Sequence, residues 1–173
     1  TVDSEIILHW LAQPSNNGEH NLVSTIRKVE GAFSLAIMTE NELIGVRDAH
    51  GFRPLCIGKL DGAYVLSSET CALDLIEAEY VRDVEPGEIV IIDDNGLRSI
   101  QAFPDHEKRA LCIFEYVYFS RPDSNIRKQN VYKVRVEMGR ELARENTIDA
   151  DIVVPIPDSG NCAALGFALE SGI

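Results

Sequence analysis

The feature that most limits how this chain can fold is a change of hydrophobic period near residue 32. Before it, apolar residues recur at helical spacing. Ile6, Ile7, Trp10 and Leu11 share one face of a helix predicted over 3–12, with Asp3 or Ser4 as N-cap. A loop over 14–18 leads to a second helix over 20–30, with Leu22, Val23, Ile26 and Val29 on one face and Gly31 as its stop. From 32 to 100 the apolar residues come instead in short runs broken by turn residues. Residues 32–38 read as a buried strand, Asn41-Glu42 as a turn and 43–48 as the returning strand. A second hairpin pairs 54–58 with 63–67 around Leu60-Asp61-Gly62, and 70–77 follows as a short helix. A third pairs 88–92 with 97–100 around Asp93-Asp94-Asn95-Gly96, where Asn-Gly predicts a tight turn because both residues accept positive φ. Sequential hairpins preceded by helices give an antiparallel α+β region.

The pattern then changes again. Residues 101–110 are polar and read as a linker. Beyond them 131–144 is amphipathic, with apolar residues at 131, 134, 138 and 142. Residues 152–156 form a short, fully apolar strand, Pro157-Asp158-Ser159-Gly160 a tight turn, and 163–169 a helix. The fold class is therefore α+β followed by α/β. Charge divides at the same place: residues 1–104 hold 7 basic and 17 acidic groups, and residues 105–173 hold 9 and 11. The chain opens on Thr1 and ends with a C-cap-like Gly172 followed by Ile173, which reads as an internal piece of a longer protein.

Composition narrows the function classes. The 173 residues are 45% hydrophobic and 25% charged, an ordinary globular balance. The longest apolar runs, such as Ile89-Val90-Ile91-Ile92, are far short of the ~18 residues a transmembrane helix needs. No signal-like segment argues for secretion, so a reducing, cytoplasmic setting with four free cysteines is expected. The cysteines at 56, 71, 112 and 162 form no CxxC pair, and each reads first as a small buried hydrophobe. A net charge of -12 repels phosphate backbones and argues against nucleic-acid binding.

Three segments could carry chemistry. Residues 153–160, followed by an Ala-rich helix, place a strand, a glycine turn and a helix N-terminus in succession. That arrangement can hold an anion on backbone N–H groups. Ser159 adds a hydroxyl for a phosphate or a hydrated Mg²⁺, and Asp158 can cap the helix or reach the metal. An ordinary capped turn fits the same residues, and without a Walker lysine this is not a P-loop. Residues 112–124 pack four aromatics into a chain that is only 7% aromatic. They fit either a buried strand ending at a Pro-Asp turn, with a local Arg121–Asp123 ion pair, or an anchoring segment between domains. Arg47-Asp48-Ala49-His50-Gly51-Phe52-Arg53 offers catalytic residue types, yet a salt-bridged turn explains it as well.

Seven motifs in this order carry a family resemblance: Asp3-Ser4-Glu5, Glu30-Gly31-Ala32-Phe33-Ser34, Arg47-Asp48 with Gly51-Phe52-Arg53-Pro54-Leu55, Ser68-Glu69-Thr70-Cys71-Ala72, Pro86-Gly87-Glu88, the run from Phe114-Glu115-Tyr116 to Arg121-Pro122-Asp123-Ser124, and Pro155-Ile156-Pro157-Asp158-Ser159. Over its whole length the chain resembles an internal stretch of the amidophosphoribosyltransferases, or glutamine phosphoribosylpyrophosphate amidotransferases. The resemblance implies a glycosyltransferase of de novo purine synthesis, working as a homo-oligomer on glutamine and phosphoribosylpyrophosphate. One half is an N-terminal-nucleophile (Ntn) glutaminase that releases ammonia. The other is a type I phosphoribosyltransferase that uses the ammonia to displace pyrophosphate, giving 5-phosphoribosylamine. By this resemblance residues 1–104 are the latter part of the glutaminase sandwich, antiparallel sheets flanked by helices. Residues 105–173 are the start of the phosphoribosyltransferase domain.

Residue by residue, Asp3 matches the carboxylate that holds the α-amino group of glutamine. Asp158, Ser159 and Gly160 match the pyrophosphate loop, with Ser159 associated with Mg²⁺. Cys112 matches one ligand of the [4Fe-4S] iron–sulfur cluster of many members, a cluster that normally takes four thiolates. The nucleophilic cysteine and the paired-aspartate motif match nothing here. Asn17-Gly18 follows Asp3 and is not the oxyanion pair, and Asp93-Asp94 reads as turn chemistry. The chain by itself is expected to be inactive in both half-reactions. Two other readings stay open at this point: a different glutaminase fusion, such as the hexosamine-forming one, and a catalytically silent scaffold with weak anion affinity at 155–160.

Overall fold

A computed structural model describes residues 3–13, 18–104 and 108–173, without the side chains of Asp3, Gly18, Glu19 and His20. The chain divides into two compact units. One takes Thr1–Arg53 and Val84–Ala110, the other Pro54–Asp83 and Leu111–Ile173. The segment 54–83 thus packs with residues from 111 onward, although it precedes the linker expected at 101–110.

The first unit holds two helices, α1 (Asp3–Leu11) and α2 (Gly18–Ile26), and four strands: β1 (Ser34–Met38), β2 (Leu43–Arg47), β6 (Glu88–Asp93) and β7 (Gly96–Gln101). The strands pair antiparallel in the order β1-β2-β6-β7. Ile44 faces Ile91 and Val46 faces Ile89 across the central pair. These four side chains are buried together with Leu22 and Ile26 of α2. The period-2 spacing of β-branched residues puts one apolar face on the helices, which is why this sheet forms here.

Three expectations need correction in this unit. The second helix stops at Ile26, four residues early. The strand expected to be buried at 32–38 is a sheet edge among the described residues, paired there with β2 alone, and Met38 is 84% exposed. The stretch 101–104 is not a linker: Ala102 is fully buried in the core, and its carbonyl accepts 2.6 Å from the Arg27 guanidinium. Residues 105–107 of that stretch lie outside the described residues.

The third hairpin also turns differently. Asp93 pairs with Gly96, so the turn residues are Asp94-Asn95 and only Gly96, at φ +109, takes positive φ. The Asp93 carboxylate accepts the Asn95 N–H at 2.7 Å, as turn chemistry requires. Two-residue turns with both φ positive sit elsewhere, at Asp61 (φ 49) and Gly62 (φ 90) and at Arg127 (φ 49) and Lys128 (φ 65).

The second unit carries β3 (Cys56–Leu60), β4 (Ala63–Ser67), α3 (Thr70–Leu75) and β5 (Glu79–Asp83). Its sheet runs β4-β3-β5. The hydrophobic pattern gave no reason to expect β5, whose Glu79, Tyr80 and Val81 are exposed. Cys56, Leu73 and Ala78 form the local core. Beyond residue 111 come a π-helical turn (Glu115–Phe119), the short β8–β9 hairpin (Asn125–Ile126 and Gln129–Asn130), α4 (Val131–Glu145) and α5 (Gly160–Ser171). Asn130 caps α4 by accepting the Lys133 N–H, and Gly172 ends α5 in the left-handed conformation, as its position leads one to expect.

Two strand expectations fail here. Within 112–124, Glu115–Phe119 form the π-helical turn, which removes the strand from the two readings of that stretch: Glu115 and Tyr116 are buried, while Phe114, Val117, Tyr118 and Phe119 stay outside. Residues 152–156 are not part of a sheet among the described residues, and Ile152, Val154 and Ile156 are 72%, 73% and 85% exposed. Apolar composition marks a strand only where a neighbour supplies hydrogen bonds.

Candidate functional site

The turn at 157–160 joins the extended apolar segment to α5. Gly160 N–H bonds the Ile156 carbonyl at 3.2 Å and Asn161 N–H bonds that of Asp158 at 3.2 Å. Ser159 is the N-cap residue, but its hydroxyl makes no capping bond, so the capping expected of this turn is not done by that side chain. Asp158 is exposed, and Ser159 and Gly160 are half-buried. A carboxylate, a hydroxyl and a helix N-terminus therefore stand together at an accessible turn, with the donor chemistry for an anion or a hydrated hard cation.

Asp3 opens α1, and its side chain lies outside what is described. Its neighbour Ser4 helps to line a cavity of about 400 Å³ with Trp10, Lys28, Glu30 and Phe33. The structure thus brings the first two family motifs to one cavity. Its walls are mostly apolar, with Ser4, Lys28 and Glu30 as polar members.

Cys112 is half-buried just before the π-helical turn, and its carbonyl accepts the Glu115 N–H at 3.0 Å. None of the four cysteines forms a disulfide among the described residues; Cys56, Cys71 and Cys162 are buried in β3, α3 and α5. Burial, above all, pushes the Cys71 thiol up, away from the reactive thiolate. Among the described residues no three metal-binding side chains gather, so the ligand set of an iron–sulfur cluster is not assembled by them.

The Arg47 turn is held by side chain-to-backbone hydrogen bonds. The guanidinium donates to the carbonyls of Arg53 (2.8 Å), Val84 (2.6 Å) and Gly51 (3.1 Å). The Asp48 carboxylate accepts the N–H groups of His50, Gly51 and Phe52 at 2.8–3.0 Å. Both side chains are buried, and these bonds fix a chain reversal.

Residues 112–124 are stitched down by a polar network. Arg135 of α4, 3% exposed, donates to the carbonyls of Tyr116 and Ser120, and Ser120 donates its hydroxyl to Glu115 at 2.7 Å. The Tyr116 hydroxyl donates to the Ile126 carbonyl at 2.9 Å. The expected Arg121–Asp123 pair is present and two-pronged, at 3.1 and 2.7 Å. Sequence reasoning missed Glu69. One carboxylate oxygen accepts both the Arg121 N–H and the Ser124 hydroxyl at 2.7 Å, and Thr70 Oγ1 accepts the Asn125 N–H at 2.8 Å. The partners are more than fifty residues apart, and the one signal was the Ser68-Glu69-Thr70-Cys71 motif itself.

Comparison with known proteins bears on these features directly. A family model described as a glutamine amidotransferase domain matches residues 1–75. Amidophosphoribosyltransferases from Rhizobium etli and Archaeoglobus fulgidus are each 48% identical to the chain, over 100% and 99% of its length. Over its whole length the chain is similar to amidophosphoribosyltransferases. It spans 36% and 38% of the length of those two relatives. Solved family structures agree in fold: the glutamine phosphoribosylpyrophosphate amidotransferase from B. subtilis, complexed with ADP and GMP, superposes with a TM-score of 0.95 at 41% identity. It covers 100% of this chain and 38% of its own. A structure described as the allosteric regulatory enzyme of purine biosynthesis gives 0.94 at 42%, covering 99% of this chain and 37% of its own. The antiparallel sheets flanked by helices are thus a family fold. Among the described residues no helix is long and apolar enough to cross a membrane.

Proposed function

We propose that this chain supplies part of an enzyme that converts phosphoribosylpyrophosphate, glutamine and water into 5-phosphoribosylamine, glutamate and pyrophosphate. This is the first committed step of de novo purine synthesis. The observation that carries the reading is identity of 48% along the whole chain with amidophosphoribosyltransferases, joined to a TM-score of 0.95 with a solved one. In this reading residues 1–104 belong to the glutaminase and residues 105–173 begin a type I phosphoribosyltransferase. The protein works as a homo-oligomer in the cytoplasm on these two small substrates.

The residues divide the work by charge. Asp3 holds the α-amino group of glutamine, because a fixed carboxylate at a helix start pairs with an ammonium. The Asp158–Gly160 turn receives the pyrophosphate at the N-terminus of α5, where the helix dipole favours negative charge. Mg²⁺, when bound, offsets pyrophosphate charge. Ser159 and Asp158 supply oxygen donors of the right kind, and substrate and water oxygens complete the shell. Cys112 would supply one thiolate ligand to a [4Fe-4S] cluster of the whole protein, a cluster that normally takes four.

The test is made on the full-length protein. Glutamine-dependent release of pyrophosphate from phosphoribosylpyrophosphate is expected. Ser159→Ala is expected to raise the KM for phosphoribosylpyrophosphate at limiting Mg²⁺ by about tenfold, the scale of one lost charge-assisted contact. Absence of the reaction in the wild type overturns the function. An unchanged KM in the variant overturns the role of Ser159.

A further inference from the structure

Glu69 lies between β4 and α3, inside the stretch matched by the glutamine amidotransferase model. The loop it holds, residues 121–125, lies well beyond that stretch. The contact is dense for so short a segment. Glu69 Oε2 takes two bonds of 2.7 Å, from the Arg121 N–H and the Ser124 hydroxyl, and the next residue, Thr70, takes one of 2.8 Å from the Asn125 N–H. Thr70 is 8% exposed and Ser124 is fully buried, so water competes poorly for these bonds.

The far side of the loop is equally fixed. The Pro122 carbonyl accepts the Tyr132 N–H at 2.9 Å, and the Ser124 carbonyl accepts the Val131 N–H at 3.0 Å. Both donors belong to the first turn of α4. Arg135, one turn further along α4, holds the carbonyl of Ser120 at 2.8 Å and that of Tyr116. The Glu69 carboxylate is thus a short polar strap. It joins the amidotransferase-matched segment to a rigid assembly of loop, π-helical turn and α4.

We infer that Glu69 is a positioning residue that keeps the ammonia-releasing and ammonia-using parts of the enzyme in register. The inference rests on the function proposed above. Glu69 is absent from the residues assigned to glutamine, pyrophosphate or Mg²⁺. Its loss therefore leaves each half-reaction intact and breaks the link between them, because register is what makes a released nucleophile available to the second centre.

The experiment measures three rates on the full-length protein: glutamine hydrolysis, phosphoribosylamine formation from added ammonium, and phosphoribosylamine formation from glutamine. For Glu69→Ala the first two stay within about twofold, while the third falls about tenfold, the scale of losing charge-assisted hydrogen bonds. Glutamate then outruns phosphoribosylamine. Glu69→Gln keeps an acceptor oxygen and restores most of the coupling. Parallel loss of all three rates in both variants overturns the inference, as does unchanged stoichiometry in Glu69→Ala. Should Glu69→Ala fail to fold, Ser124→Ala carries the test: it removes one of the two bonds to Oε2, partial uncoupling supports the strap, and preserved stoichiometry overturns it. A wild type that forms no phosphoribosylamine from glutamine instead overturns the proposed function.

Discussion

Gly166 of α5 packs directly on the main-chain carbonyl of Val136 in α4, at a distance that leaves no room for a Cβ. The contact is reciprocal, since Gly139 of α4 meets the carbonyl of Ala163 in the same way. Two glycines let the helices approach backbone to backbone. The Arg144 guanidinium then closes the far end on the Glu170 carboxylate at 2.9 and 3.1 Å.

Adding a methyl group at either glycine forces the helices apart. Gly166→Ala and Gly139→Ala are each expected to lower stability by about 3 kcal/mol, the upper part of the overpacking range. Urea unfolding of the full chain measures this. Gly160→Ala is the control, because its added Cβ meets nothing nearer than the Pro155 side chain at 3.9 Å. Equal losses at Gly160 and Gly166 would show that sterics is not the cause.

Asp48 organises the turn after β2 by accepting three backbone N–H groups while fully buried. Removing the carboxylate takes this acceptor from His50 and Phe52 and leaves Gly51 only the Asp48 carbonyl at 3.0 Å. Asp48→Ala is expected to cost about 3 kcal/mol, and Asp48→Asn, which keeps one oxygen, clearly less. A shift of the denaturation midpoint that is the same for both variants contradicts this account.

Tyr80 donates its hydroxyl to Asp83 at 3.0 Å. Desolvation first, then the Asp83 charge, pushes its pKa up to about 12. The neutral form is the one favoured by the fold. The stabilisation is therefore complete below the ordinary tyrosine value near ~10 and is lost as pH rises from there toward 12. Ultraviolet titration should find Tyr80 among the late tyrosines, beside Tyr116, whose hydroxyl is also pushed up by burial. Asp83→Asn should bring Tyr80 down while leaving it above the ordinary value, because desolvation persists.

The β8–β9 turn puts Arg127 and Lys128 at positive φ, where side chains are strained. Replacing the pair with Asn-Gly is expected to raise stability by about 1 kcal/mol. Gly96→Ala, at φ +109, should lower it by a similar amount, ~1 kcal/mol, whereas Asn95→Ala should change little. Thermal melts of the three variants separate the two turns.

These turns show what was legible. The hairpins around Asp61-Gly62 and Asp94-Asn95 announce themselves through turn residues between apolar runs, and α4 through its 3.6 period. The Arg127-Lys128 turn carries no such mark, because its strained φ values are imposed by the hairpin closing beneath α4. Strand β5 is hidden because its alternation is weak and its partner β3 lies twenty residues earlier. The π-helical turn is hidden because its aromatic run matches a strand in composition.

The sequence alone determined most local units: that α1, α2, α4 and α5 are helices, that the chain reverses at Asp61-Gly62 and Asp94-Asn95, and through its motifs the family resemblance. Those properties follow from forces between residues a few positions apart. Tertiary structure decided which apolar segment became a strand, which glycines bear on a neighbouring backbone, and that Glu69 meets Ser124. Each of these depends on groups far apart in the chain, and pairing at that distance is settled only when the whole unit buries its surface and satisfies its hydrogen bonds together.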